Sequence, residues 1–167
     1  DYKVWMMTKL LETPDADFAA LQKDFSDGFY GAAGPFFRKY RGALRSSQNL
    51  RKAYIGMSPG ASAFSFLDFG TILTSQKLFD EGEAVLVGND TLLRRWRHAR
   101  LSLDRATCVR WRQLAGDYQR MGKSMGNFPL DRTEVANRIQ QTWTEQANLR
   151  LAGGGREKSL TQLQQEM

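Results

Sequence analysis

The run from Lys9 to Tyr40, KLLETPDADFAALQKDFSDGFYGAAGPFFRKY, constrains the fold more than any other stretch of the chain. Pro14 has no backbone N–H and pushes the residue before it out of the helical region, so a helix spanning Asp1 to Leu11 must stop near Glu12. Thr13, Asp15 and Asp17 then compete to cap a second helix. Along it Phe18, Leu21, Phe25 and Phe29 recur at intervals of three and four and lay down one aromatic stripe. Gly31 is placed to end that helix, because glycine takes a positive φ without a Cβ clash. Pro35 fits the first turn of a third helix carrying Phe36, Phe37, Tyr40 and Leu44. The prediction is a helix, a turn and a tight helical hairpin.

Similar patterns continue, with one interruption. Val4, Met7, Thr8 and Leu11 form a stripe on the first helix. From Ala53 to Thr71 the periodicity fails: Gly56, Pro59, Gly60 and Gly70 punctuate a stretch that still carries Tyr54, Phe64, Phe66, Leu67 and Phe69. A solvated linker would not hold so many apolar residues, so we read a long irregular connection packed against something, and a stretch of that length suggests function or an interface. Thr74 or Ser75 is expected to cap a fourth helix, with Leu78, Gly82, Val85 and Leu86 inward, ending at Gly88. Asn89 or Asp90 opens a long fifth helix from Thr91 to about Met121, with Leu92, Trp96, Ala99, Leu103 and Ala106 on its apolar side. Asp131 or Thr133 starts a sixth, with Val135, Ile139, Trp143 and Leu149. The expected fold is all-α, an up-and-down bundle of five to six helices in a single domain over 1–150, followed by a polar, mobile tail at 151–167.

Chemistry-bearing residues are sparse. Cys108 is the only cysteine and His98 the only histidine, which removes internal disulfides, zinc clusters and histidine-based triads; Cys108 reads as a small core residue. Asp15 and Asp17 suit a helix N-terminus, and Asp80, Glu81 and Glu83 suit a wet helix face, so no catalytic residue, metal or cofactor is expected. No apolar run long enough for a membrane span and no signal-peptide pattern occurs. The net charge of +6 concentrates between Arg94 and Arg112, where Arg94, Arg95, Arg97, Arg100, Arg105, Arg110 and Arg112 face a single acid, Asp104. Such a run could track a phosphate backbone. The arginines are spread around the helix, however, and acids on neighbouring helices can pair with several, so a salt-bridged helix is favoured over nucleic-acid binding.

The opening run resembles the end of the catalytic region in domain-of-unknown-function family 4838, glycoside-hydrolase-like proteins built on a (β/α)8 barrel. The matching residues are Lys9, Leu10, Leu11, Pro14, Asp15, Asp17, Leu21, Phe25, Phe29, Tyr30, Gly31, Pro35, Arg38 and Tyr40, and a second block runs from Leu78 to Leu86 and from Arg97 to Asp104. Phe29 matches as an aromatic where tyrosine is usual, Thr13 stands where asparagine is usual, Gly34 also departs from the family pattern, and the segment after about Gln113 lies outside the resemblance. The resemblance implies an accessory helical domain that follows a barrel, whose last helix would be residues 1–11, in a chain cut from a longer, secreted or periplasmic parent. The family's candidate catalytic carboxylates would lie before Asp1. On that reading the partners are the N-terminal catalytic barrel of the same polypeptide and, through a rim formed by Tyr54, Phe64, Phe66 and Phe69, a carbohydrate. The alternatives are a nucleic-acid module using Arg94, Arg95, Arg97, Arg100 and Arg105, and a scaffold or dimerisation bundle.

Overall fold

The computed structural model describes residues 2–53 and 64–152. In chain order these form α1 (Tyr2–Glu12), α2 (Phe18–Tyr30), a 3-10 turn (Gly31–Ala33), α3 (Gly34–Leu50), α4 (Phe69–Ala84), α5 (Asp90–Val109), α6 (Trp111–Arg120), a second 3-10 turn (Met125–Asn127) and α7 (Arg132–Ala152). The protein is an all-α helical bundle, with no strand among the described residues.

Local signals place the α2–α3 hairpin. Among the three competing caps Asp17 succeeds, its Oδ1 accepting from the Ala19 amide at 2.8 Å. Gly31 ends α2 at φ +56° and donates its amide to the Asp27 carbonyl, and Pro35 lies in the first turn of α3. The two helices then close tightly: a Cβ at Gly34 would stand 2.8 Å from the Ser26 carbonyl oxygen. Arg38 fastens the hairpin by pairing with Asp27. The hydrogen bonds from Lys23 and Arg38 hold the Asp27 carboxyl below its ordinary pKa.

Aromatic rings fill the space between this hairpin and α4 and α5. Trp96 is fully buried, donates Nε1–H to the Phe79 carbonyl at 2.9 Å, and meets the rings of Phe79 at 4.8 Å and Tyr30 at 5.3 Å. The approach of α5 to α4 depends on Gly82, where any Cβ would overlap the Trp96 ring. Tyr40 meets Phe79 edge-on at 4.9 Å. Burial, reinforced by Tyr40, pushes the Tyr30 hydroxyl pKa up to about 12.

On α1 the stripe that turns inward is Tyr2, Trp5 and Met6, whereas Val4, Met7 and Leu11 face outward. Three expectations are corrected. The irregular connection ends at Asp68, earlier than expected: Asp68 Oδ1 caps α4 by accepting from the Thr71 amide at 2.8 Å, so Phe69 is already helical and Thr74 and Ser75 lie inside the helix. Val85, expected on the inner side, is exposed just beyond α4. The long fifth helix is interrupted at Arg110 (φ −92°, ψ 7°), which separates α5 from α6 and lets the buried Arg110 donate Nε–H to the Leu67 carbonyl at 3.0 Å. Tyr54 and residues 153–167, most of the expected tail, lie outside the described residues.

Candidate functional site

Two of the four residues expected at the aromatic rim, Phe66 and Phe69, are part of the bundle's interior, and Tyr54 lies outside the described residues. Phe66 and Phe69 are only 6% and 7% exposed and belong to the main apolar core, with Phe64 packed partly buried against it. Phe69 meets the rings of Tyr118 at 5.1 Å and Phe128 at 5.6 Å. The backbone around these residues is anchored as well: Ser47 donates Oγ–H to the Phe66 carbonyl at 2.5 Å, and the Leu67 amide donates to the Phe64 carbonyl at 2.9 Å. A sugar stacks on an open ring face, and neither Phe66 nor Phe69 offers one.

The arginines of α5 divide by position. Arg97 pairs with Glu83 at 2.7 Å. Arg100, 4% exposed, reaches Asp80 at 2.7 Å and Glu83 at 3.7 Å, and donates Nε–H to Gln76 Oε1 at 3.1 Å. Arg95 lies with its guanidinium 4.7 Å from the centre of the Phe29 ring and donates to the Phe29 carbonyl at 3.3 Å. Arg94 and Arg105 are exposed on the outer surface, and Arg94 donates to Thr91 Oγ1 at 3.5 Å. The five proposed phosphate contacts therefore do not form one surface. Two are neutralised by acids of α4, as the salt-bridged reading expects.

Burial of Arg100 reveals a cluster that sequence reasoning missed. Asp104, one turn on, is 2% exposed; its Oδ1 accepts from Gln76 Nε2 at 2.8 Å and from Arg138 Nη2 at 3.0 Å, while its Oδ2 accepts from Arg138 Nε at 3.2 Å. Gln76 also donates to Thr107 Oγ1 at 3.2 Å, and Arg138 donates to Glu134 Oε1 at 2.9 Å. Burial alone would lower the Arg138 pKa, but its bonds to Asp104 outweigh that and raise it. The only sequence signal was the i,i+4 pair Arg100 and Asp104, an arrangement that reads equally well as a solvated face. Both Asp104 oxygens are engaged by protein donors, so the cluster joins helices and presents no carboxylate to a substrate.

Cys108 is buried beneath α7, where burial, with a smaller contribution from Asp104, raises its thiol pKa. His98 is half-buried on α5. No group of three or more residues suited to a metal ion occurs among the described residues, and no described helix is long and apolar enough to cross a membrane.

The outer face of α1 is the surface that the packing does not explain. Val4, Met7 and Leu11 are 69%, 64% and 81% exposed, and Phe18, just beyond the proline turn, is 47% exposed. Residues spaced at three and four lie on one face of a helix, so α1 is apolar on two sides and buries only one of them. No protein-family model, curated protein or solved structure matches the chain.

Proposed function

We propose that this chain is the C-terminal accessory helical domain of a carbohydrate-active, glycoside-hydrolase-like protein, docked on the catalytic barrel of the same polypeptide through the outer face of α1 and supplying no catalytic residue itself. The observation that carries this reading is the exposed stripe Val4, Met7 and Leu11, since a helix apolar on both sides is normally sandwiched between two bodies. The residues of the family-like run support it in another way. Asp17 caps, Gly31 stops, Arg38 ties α3 to α2 and Tyr40 packs on Phe79. Their work is to shape a domain.

The coding region upstream of Asp1 provides the first test: a barrel with paired acidic residues must be there, and its absence sinks the proposal. With the barrel in hand, Leu11→Asp combined with Val4→Asp is expected to loosen the association of barrel and helical domain while the bundle stays folded by circular dichroism. A concentration-dependent dimer of the isolated chain that the same double variant abolishes would reassign this face to self-association.

A further inference from the structure

α3 carries a charge feature that neither the core nor the outer face of α1 accounts for. From Gly28 to Leu67 the chain holds six cations and no aspartate or glutamate. Arg38 is paired with Asp27 and Arg51 with Asp68, acids that lie before and after that stretch. Lys39, Arg41, Arg45 and Lys52 meet no acid among the described residues. Phe37, Tyr40 and Leu44 turn α3 toward the core, so its opposite side faces solvent. There Arg41, Arg45 and Asn49 follow one another every four residues, which lines them along one edge at steps of about 6 Å. Lys39 lies across the face from them with Gly42 and Ser46 between, and all but the half-buried Arg41 are exposed. A Cβ at Gly42 would meet nothing within 4 Å. The outer side of α3 is thus a floor of small residues bordered by cations.

From this arrangement we infer that the outer side of α3 binds an acidic polysaccharide, a polymer bearing sulfate or carboxylate groups, laid lengthwise along the helix. The cations stand in line and do not converge on a point, which suits a repeating anion and not a single small one. Arg41 is held ready, its guanidinium 4.9 Å from the centre of the Tyr2 ring, and the Lys39 ammonium lies 5.6 Å from that of Phe36. Asn49 and Ser46 add uncharged hydrogen-bonding groups beside them. Single-stranded nucleic acid is held by rings as well as by cations. Tyr2 and Phe36 pack against the core and each carries a cation over its ring, so neither is open to a base. Calling the polymer a glycan rests on the carbohydrate-active parent proposed above, whereas the charge argument stands without it.

The test is titration of the full chain at low ionic strength with fluorescently labelled heparin and polygalacturonate, with dextran as the neutral counterpart and a mixed-sequence DNA duplex as the rival. Binding to an acidic glycan and not to dextran is expected, and added salt should weaken it. Arg41→Gln with Arg45→Gln should lower the affinity about 10-fold, as for two lost ion pairs. Arg45→Glu alone leaves Arg41 on its ring and should weaken binding comparably, with circular dichroism confirming the fold. Arg94→Gln with Arg112→Gln removes the same charge from exposed positions of α5 and α6 and should cost no more than about 2-fold. The inference is overturned if neither acidic glycan binds, if the two double variants lose affinity equally, or if the duplex binds more tightly than either glycan. If no barrel is encoded upstream and the α3 variants still weaken glycan binding, the domain assignment falls and this surface stands. A barrel upstream without such binding removes this inference alone.

Discussion

α5 meets its neighbours in two ways. Toward α4 and the α2–α3 hairpin it presents Trp96, whose ring is enclosed by Phe79 and Tyr30 and whose N–H is spent on a backbone carbonyl. Toward α7 it presents Asp104 and Cys108, and the contact is a charge cluster beside a few apolar side chains. The first interface has no slack, since a single Cβ at Gly82 would overlap the tryptophan ring. In the second, Asp104 also accepts from Gln76 of α4 at 2.8 Å and lies 3.6 Å from Arg100 of its own helix. Close packing fixes a geometry through shape, whereas a polar contact fixes one through the number and direction of its hydrogen bonds.

This contrast is broken most directly at its apolar side. Trp96→Ala is expected to cost about 3–5 kcal/mol in denaturant unfolding, because it empties the centre of the ring cluster; a loss no larger than that of an α7 variant would erase the distinction. Next comes Gly82→Ala, expected to destabilise by about 1–3 kcal/mol through overpacking against Trp96 despite the better helix propensity of alanine. A stabilised variant would show that the α4–α5 approach has room to relax.

Asp68 tests the capped and ion-paired ends. Burial alone would raise its pKa, but the Thr71 amide and the Arg51 guanidinium at 2.6 Å outweigh burial and hold it below the ordinary 3.8. With a folded-state pKa below the unfolded one, the ionised group stabilises the fold above about pH 4 and loses that contribution as the pH falls through the folded value. Asp68→Ala should therefore cost about 1 kcal/mol at neutral pH, as for other N-caps, and the gap from the native chain should close in acid. A gap that persists at low pH would assign the effect to something other than the carboxylate. The smallest effect is expected at the outer face of α1, where Leu11→Asp should change the stability of the isolated chain by no more than about 0.5 kcal/mol. A larger loss would mean that this face is already in use within the bundle.

The parts of the fold that were readable in advance are those governed by neighbours in sequence. Gly31, Pro35 and the choice of caps around Asp17 follow from φ preferences, a missing N–H and a short side-chain reach. The start of α4 escaped because Asp68 stands in a run whose glycines and aromatics break the helical period, and its cap is recognisable only once Thr71 is seen to be helical. Arg110 escaped for the opposite reason. Nothing in the residues around it forbids a continuous helix, and the break accompanies a bond to the Leu67 carbonyl more than forty residues away in sequence. Phe66 and Phe69 were expected at a rim because phenylalanine spacing reports apolar character, not what the rings face.

Sequence alone determined that this protein is helical and where the hairpin turns, because caps and stops act over a few residues. Only the tertiary structure decided which stripe of α1 is buried, that Phe66 and Phe69 are core, and that Asp104 leaves water to pair with Arg100 and with Arg138 of α7. Both stripes of α1 are apolar and both faces of α5 carry charge. The choice between them was made by the surfaces that distant helices brought against them, and burial is a property of that encounter.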